Sequence, residues 1–365
     1  MSFDFVSILV FVLALSGMIF VHEFGHFVAA RFFNIEVEEF GFGLPSIRLA
    51  TLFTWRGTAF TVHALPLGGF VRPKGENDPN VPGGLAAAAP WKRIAVLLSG
   101  PLMNLLTAVV VFAMITAFEG VVVAGPVRLE KIAPNSPAEQ AGLRVNDVIV
   151  AINGQPVDQT RDISLIIQEN LDKPLELKVQ RGDQIVTITA TPLSSRLPTQ
   201  GPLGITMVPA TRPATPVEIG QAGFTRTALQ AAAIVYLPIA LIQGAINPSD
   251  ARPVGLKGIF DLVDVAVQED TQSRQTQAGQ PARPTYYTLL VIGLLSVSLG
   301  VINLLPIPAL DGGRILFTLP ELLFHRRIPP ETENIINGVG LLLLIILMLY
   351  INAMDILKPT EILLP

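Results

Sequence analysis

Two histidines four residues apart, His22 and His26, enclose a glutamate in the run His22-Glu23-Phe24-Gly25-His26. Positions four apart on a helix share one face. Two imidazoles so placed can ligate one zinc ion, with Glu23 beside the water that the metal activates, able to take its proton. The same pattern also fits a pair of core histidines with a surface glutamate. Its setting favours chemistry: the cluster lies in a long apolar stretch, where three ionisable groups within five residues are costly unless they act. A hydrolytic zinc site takes three protein ligands and keeps one position open. The chain has four histidines and no cysteine, so the third ligand is His63, His325 or a carboxylate. Asp311 is the best candidate. It lies in the run Asn303-Leu304-Leu305-Pro306-Ile307-Pro308-Ala309-Leu310-Asp311-Gly312-Gly313, in which two prolines disrupt a helix and two glycines permit unusual backbone angles. Broken backbone at membrane depth is tolerated where it lines a buried polar cavity. The alternative is a capping aspartate at the membrane edge.

The elements that must carry these residues are apolar helices. Of 365 residues, 50% are hydrophobic and 15% charged, against about 25% charged in a soluble domain. A net charge of −4 provides no basic field for nucleic acid. The absence of cysteine excludes a disulfide framework, a thiolate zinc site and a cysteine nucleophile. Four runs are long enough to cross a bilayer: Phe5–Phe20 and onward to Phe33, Ile94–Phe118, Tyr286–Leu310 and Asn334–Met354. A fifth stretch, Thr227–Ile246, is interrupted by Pro238 and reads as a helix on, or dipping into, the outer leaflet. Basic residues set the orientation: Arg31, Arg48, Arg56, Arg72, Lys74, Lys92 and Arg93 lie between the first two runs, and Arg314, Arg326 and Arg327 between the last two. Both loops are therefore expected in the cytoplasm and both termini outside. The first run lacks a basic leader and a small-residue cleavage site, so it is read as retained. At 1.5 Å per residue His22 lies roughly 25 Å from the outer end of the first run, and Asp311 stands at the cytoplasmic end of the third. Four spans bring the two level; a fifth would separate them.

A soluble segment, Val121–Pro209, separates the second and third runs. Val127–Ile132, Val148–Ile152, Leu175–Gln180 and Gln184–Ala190 read as strands, Ser136–Leu143 and Ile163–Glu169 as short helices, and Asn153-Gly154 as a turn. Gly83–Pro90 reads as a connector and Glu269–Pro284 as a flexible polar loop. Ile47–Phe53 and Thr58–Ala64 read as a β-hairpin across Thr54-Trp55-Arg56-Gly57, whose edge could pair with an unwound peptide or merely plug a cavity. No internal repeat is evident.

With His22–His26, Asn303–Gly313 and an insert on the outer side, the chain resembles the site-2 protease family of intramembrane zinc metalloproteases, in its bacterial branch that cleaves anti-sigma factors. The resemblance implies one zinc held by His22, His26 and Asp311, with Glu23 as the base and Asn303 holding the substrate backbone. Phe40-Gly41-Phe42-Gly43-Leu44-Pro45 through Leu67-Gly68-Gly69-Phe70-Val71 resembles the family's membrane-associated hairpin loop, which brings Gly43, Gly68 and Gly69 in as substrate-facing positions. Ser99-Gly100-Pro101-Leu102-Met103-Asn104 also matches a family pattern; it implies a kink and an inward Asn104, serving either the active site or helix packing. Ala251–Ile259 resembles a glycine-proline segment before the third span, with no chemical role evident. The insert resembles a single PDZ domain through Ile132–Ala138, Ala141-Gly142-Leu143, Asn146–Ile149 and Ile152-Asn153-Gly154. Asn146 stands where glycine is usual and tolerates a left-handed angle. The segment Gly201-Pro202-Leu203-Gly204-Ile205 looks like a carboxylate-binding loop for a peptide C-terminus, although a purely steric filter is the alternative.

The expectation is a polytopic α-helical membrane protein with four transmembrane helices, a membrane-associated β-hairpin and an inserted α+β PDZ domain. Its parts are residues 1–118 and 286–365 as catalytic membrane halves, 119–215 as the extracytoplasmic PDZ domain and 216–285 as a membrane-surface helix and loop. It would lie in the bacterial inner membrane among lipids, with its active site toward the cytoplasm, and hydrolyse single-span membrane proteins. The competing function is a zinc-binding scaffold or transporter carrying a peptide-binding module, which needs no base at Glu23. A prenyl-protein protease fits less well, since its third ligand is usually a glutamate on a later helix.

Overall fold

The first helix, α1 (Phe5–Phe32), is apolar on every side, yet Met18, His22, Gly25, His26, Phe27 and Ala30 form one buried stripe. Such a stripe marks the face turned to protein. The structure, a computed structural model, describes residues 5–65, 68–194, 201–247, 252–274 and 284–358. The chain divides into two units: Met1–Ile115 with Ile219–Pro365, and Thr116–Glu218.

After α1 come four strands, β1 (Val37–Phe42), β2 (Arg48–Trp55), β3 (Thr58–His63) and β4 (Gly69–Pro73), in spatial order β2-β3-β1-β4. β1 and β3 are parallel; the other pairs are antiparallel. β2 and β3 turn at Arg56-Gly57, with φ of 49° and 86°, the positive angles a two-residue turn requires. The sequence reading stopped at this hairpin, and the structure extends it to four strands. The added pair β1–β4 was hard to read because Gly41 counts against a strand. Here that glycine serves a contact, since the Phe70 ring occupies the space a Cβ would take. Next is α2 (Pro90–Glu119). Phe27, Ala30, Ile35, Val37, Phe40, Leu85 and Val96 bury together and bind α1, the sheet and α2 into one body. Gly25 lies on the Ser99 carbonyl, and such small residues let membrane helices approach closely.

The second unit holds β5 (Val121–Val122), β6 (Val127–Ile132), α3 (Pro137–Gln140), β7 (Val148–Ile152), β8 (Gln155–Pro156), α4 (Thr160–Glu169), β9 (Leu175–Arg181), β10 (Gln184–Ala190), β11 (Ile205–Val208) and β12 (Thr211–Arg212). The main sheet runs β10-β9-β7-β6-β11, with β8 on β7; β12 pairs with β5. Leu129, Ile149, Ile152, Ile163, Leu175, Leu177 and Leu203 form its core. Asp147, also buried, accepts from the Arg144 amide and from Arg181.

The first unit resumes with α5 (Pro216–Ile242), α6 (Leu256–Arg274), α7 (Tyr287–Leu304), α8 (Asp311–Phe324) and α9 (Pro330–Leu357). The stretch expected over Thr227–Ile246 begins at Pro216 and runs unbroken through Pro238. The polar loop expected over Glu269–Pro284 is helix as far as Arg274; residues 275–283 lie outside the described residues, as does Ala251 of Ala251–Ile259. α6 escaped the sequence reading because Lys257, Asp261, Asp264 and Asp270 obscure a narrow apolar face of Val263, Ala266 and Val267, which packs on Val291, Val10 and Phe11. Buried carboxylates from other elements cap the helix ends, where backbone amides lack helical partners. Asp355 of α9 accepts from the amides of Gly255 (2.7 Å) and Gly258 (3.3 Å) and from Arg252 (2.8 Å). Asp270 accepts from the amides of Tyr287 (2.8 Å) and Thr288 (2.9 Å) and from the Thr285 hydroxyl (2.7 Å). α7 crosses α2 where Gly300 faces the Pro101 carbonyl and the Ser296 hydroxyl donates to the Asn104 carbonyl at 2.8 Å. Among the described residues five helices, α1, α2, α5, α7 and α9, are long and apolar enough to cross a membrane.

Candidate metal centre

Three donors converge in the first unit. His22 Nε2 lies 3.0 Å from Asp311 Oδ2 and 3.1 Å from His26 Nε2, and His26 Nε2 lies 3.4 Å from the same carboxylate oxygen. Donors about 2.0–2.1 Å from a tetrahedral zinc stand roughly 3.3 Å apart, so this set fits the ion. Among the described residues it is the one group of three or more histidine and acidic side chains arranged to hold a metal. α1 supplies both histidines through their one-turn spacing. Asp311 comes from the first residue of α8, beyond the irregular turn that ends α7.

α2 packs behind the two rings. His26 Nδ1 lies 2.7 Å from the Val96 carbonyl. A carbonyl can only accept, so Nδ1 carries the proton and Nε2 presents a lone pair. Asn104 is fully buried with its amide 3.1 Å from His22 Nδ1. Gly100 faces both rings; a Cβ there would stand 2.8 Å from His22 Nε2 and closer still to His26 Nε2. Only glycine leaves this space free.

The cluster opens on a cavity of about 340 Å³, lined by Glu23, Phe70, Val71, Pro73, Glu76, Asn303 and Arg314 among others. Glu23 Oε2 accepts from the Val71 amide at 3.0 Å. Val71 belongs to β4, an edge strand of the four-stranded sheet. Arg314, one turn into α8, donates to Glu76 at 2.6 Å and so ties that helix to the loop following β4.

The other expected residues fall in different places. Asn303 lines the cavity, whereas Asn104 stands behind His22. Gly43 and Gly68 meet at the neck of the sheet, Gly43 N to Gly68 O at 2.9 Å, with φ of 95° and 77°. Gly69 faces the Gly41 carbonyl; in this part of the cavity wall the lining residues are Phe70, Val71 and Pro73 instead. His325 sits at the far end of α8 in a left-handed cap. His63 is in β3, against Glu39 at 3.3 Å. Burial disfavours a charge on Glu39, but the Thr61 hydroxyl, His63 and the Arg48 and Arg72 guanidiniums outweigh it and hold the carboxyl below its ordinary value. Gly201, Leu203, Gly204 and Ile205 lie in the second unit, where Gly204 takes a φ of 70° and its amide donates to the Gly201 carbonyl at 2.9 Å. Sequence reasoning did not find the Val71 amide, the Val96 carbonyl or the Glu76–Arg314 pair. Backbone groups and distant ion pairs leave no trace in residue spacing.

The model of Peptidase family M50 matches residues 10–347. The chain belongs to peptidase family M50. Relatives of this M50 chain include a Campylobacter jejuni protein, 32% identical over 368 residues that cover 97% of this chain and 94% of the relative. A Clostridium perfringens protein is 31% identical over 353 residues, 95% of this chain and 97% of the relative. A Clostridium acetobutylicum protein is 28% identical over 361 residues, 98% and 99%. All three carry provisional names as zinc metalloproteases. The resemblance to the site-2 proteases therefore holds, and this M50 chain is a membrane peptidase. A solved HtrA3 PDZ domain with a phage-derived ligand matches 19% of this chain and 64% of its own length at 28% identity, with a TM-score of 0.18, which is too slight a likeness to assign the insert.

Proposed function

We propose that this peptidase is an intramembrane zinc endopeptidase acting on single-span membrane proteins, with His22, His26 and Asp311 as the metal ligands and Glu23 as the base. The convergence of three donors beside the Glu23 carboxylate, on helices apolar enough to span a membrane, carries the reading. When bound, zinc supplies a Lewis acid that polarises a peptide carbonyl and lowers the pKa of water at the site toward about 7. Glu23 is the group placed to take a proton from that water and return it to the departing amine. The Val71 amide holds Oε2 of Glu23, which leaves Oε1 for the proton. A helical amide is shielded by its own hydrogen bond, so the substrate must unwind locally. Strand β4 offers an edge along which an unwound segment can add as a further strand, and Asn303 can take up a freed backbone group.

The helix directions support four crossings. α1 and α7 both approach the metal cluster with their C-terminal ends, and α2 with its N-terminal end. The chain between α2 and α7 therefore crosses an even number of times. α6 is too polar to cross, so α5 stays on the side where α2 ends. With the basic loops inside, that side is extracytoplasmic in a bacterial inner membrane, and it also carries both termini and the insert. Because the chain has no native cysteine, an Ala245→Cys variant should label from the side that also labels Asp183→Cys in the insert; labelling from opposite sides rejects four crossings. We read the insert as a PDZ domain whose Gly201–Ile205 loop receives a peptide C-terminus next to the edge strand β11. Proteins of the anti-sigma-factor kind are the substrate class these features suit.

Glu23→Gln tests the mechanism. Cleavage of a co-expressed single-span reporter should stop while the purified variant keeps its zinc. A variant that cuts at the parent rate removes Glu23 from the chemistry.

A further inference from the structure

Asn104 has an environment that helix packing alone does not explain. It is fully buried in α2, its amide nitrogen lies 3.1 Å from His22 Nδ1, and its Oδ1 is buried with no partner. His22 Nε2 faces Asp311 and His26, so it is the atom that a metal would need. If the Asn104 NH₂ donates to His22 Nδ1, that nitrogen holds the lone pair, and the ring proton sits on Nε2, where it blocks ligation. An amide keeps its outline when oxygen and nitrogen are exchanged. With the oxygen toward His22, Nδ1–H donates to Asn104 and Nε2 is free. The exchange changes which ring nitrogen of His22 carries the proton. His26 shows the same design, its Nδ1 proton held by the Val96 carbonyl.

We propose that Asn104 is a positioning residue, whose side-chain oxygen accepts the Nδ1–H of His22 and so holds the ring in the tautomer that turns an Nε2 lone pair toward His26 and Asp311. The proposal rests on the metal reading of the site. It departs from a substrate-binding role, because Asn104 stands behind the ring. Outer partners of ligand histidines typically govern metal affinity by 10–100-fold.

The test uses the full chain in detergent, with zinc as the probe in chelator competition and ¹⁵N-histidine NMR on the metal-free protein. His22 should carry its proton on Nδ1 in the parent. Asn104→Asp, which keeps an acceptor, should preserve that tautomer and bind zinc within about threefold of the parent or more tightly. Asn104→Leu, similar in size without an acceptor, should lose 10–100-fold and show a mixture of tautomers. Ser296→Ala removes the hydroxyl on the Asn104 carbonyl and should lower thermal stability without moving the tautomer. The proposal is overturned by an Nε2 proton on His22 in the parent, by parent-like zinc affinity in Asn104→Leu, or by Asn104→Asp binding as weakly as Asn104→Leu. The parent spectrum needs no variant to fold. A parent that binds no zinc refutes the metal reading instead, while its His22 tautomer still decides the role of Asn104.

Discussion

Gly100→Ala is the smallest change that should disable the centre. The added Cβ would stand 2.8 Å from His22 Nε2 and nearer still to His26 Nε2. Ordinary carbon–nitrogen contact needs about 3.4–3.5 Å, so the His22 ring must retreat by roughly 0.6 Å and the His26 ring by more, whereas ligand distances hold to about ±0.2 Å. α2 has no free space to move into instead, because Gly300 of α7 rests on the Pro101 carbonyl. Overpacking of this kind costs about 1–3 kcal/mol, or roughly 5- to 150-fold in zinc affinity at 1.4 kcal/mol per decade. The assay is zinc competition in detergent alongside reporter cleavage. Gly17→Ala is the control: it lies on the exposed face of α1 with nothing within 4 Å of its Cβ position, and alanine there should be neutral or stabilising by about 0.5–1 kcal/mol. If Gly100→Ala binds zinc within twofold of the parent and cleaves normally, the rings do not lie against α2 as described.

Glu39 makes the four-stranded sheet pH-sensitive. Its carboxyl is held low in the fold, so its contribution is complete above the ordinary value of 4.5 and is lost as pH falls through the lowered one. Melting curves of the parent should drop in that acid window, and those of Glu39→Gln should already be lower at neutral pH and flatter; parallel curves refute the assignment. The loss at neutral pH should be about 1–2 kcal/mol, below that of a fully buried pair, because Arg48 and Arg72 remain half in water. Asp270→Ala strips two amide caps and a hydroxyl partner from the start of α7. It should cost about 2–3 kcal/mol and loosen α6 from α7, read as faster amide exchange at Tyr287 and Thr288.

The half of the site on α1 was legible because helical spacing alone puts His22 and His26 on one face. Spacing alone left His63, His325 or a carboxylate as the third ligand; the proline- and glycine-broken run and its depth made Asp311 the best candidate, and the tertiary turn between α7 and α8 brings it to the rings. Turn chemistry could also be read locally. Asn146 and Asn153 take the left-handed angles, φ of 73° and 48°, that short polar side chains allow. Reading failed where one residue carried two signals. By residue type Gly41 counts against a strand, yet it is the seat of the Phe70 ring. The polar stretch from Glu269 reads as a loop, yet Asp270 within it is buried as a cap for the next helix.

Those failures share a cause with the construction of the centre. A helix N-terminus favours negative charge through its unpaired amides, and Asp311 is the first residue of α8. The chain reaches that position after α7 through the short irregular segment of residues 305–310. It does so with Ala309 at a φ of 74°, held by its amide on Asn337 of α9 at 3.0 Å. Gly312 and Gly313 back onto the carbonyls of Leu304, Leu305 and Ile307, where no Cβ fits, and Gly340 of α9 backs onto Pro308. The carboxylate is therefore fixed by α7, α9 and its own helix together, and the imidazoles by α1 and α2. Each ligand is held by an element that contributes no ligand. A change in α2 or α9 that touches none of the three donors should reach the metal as directly as a change beside it.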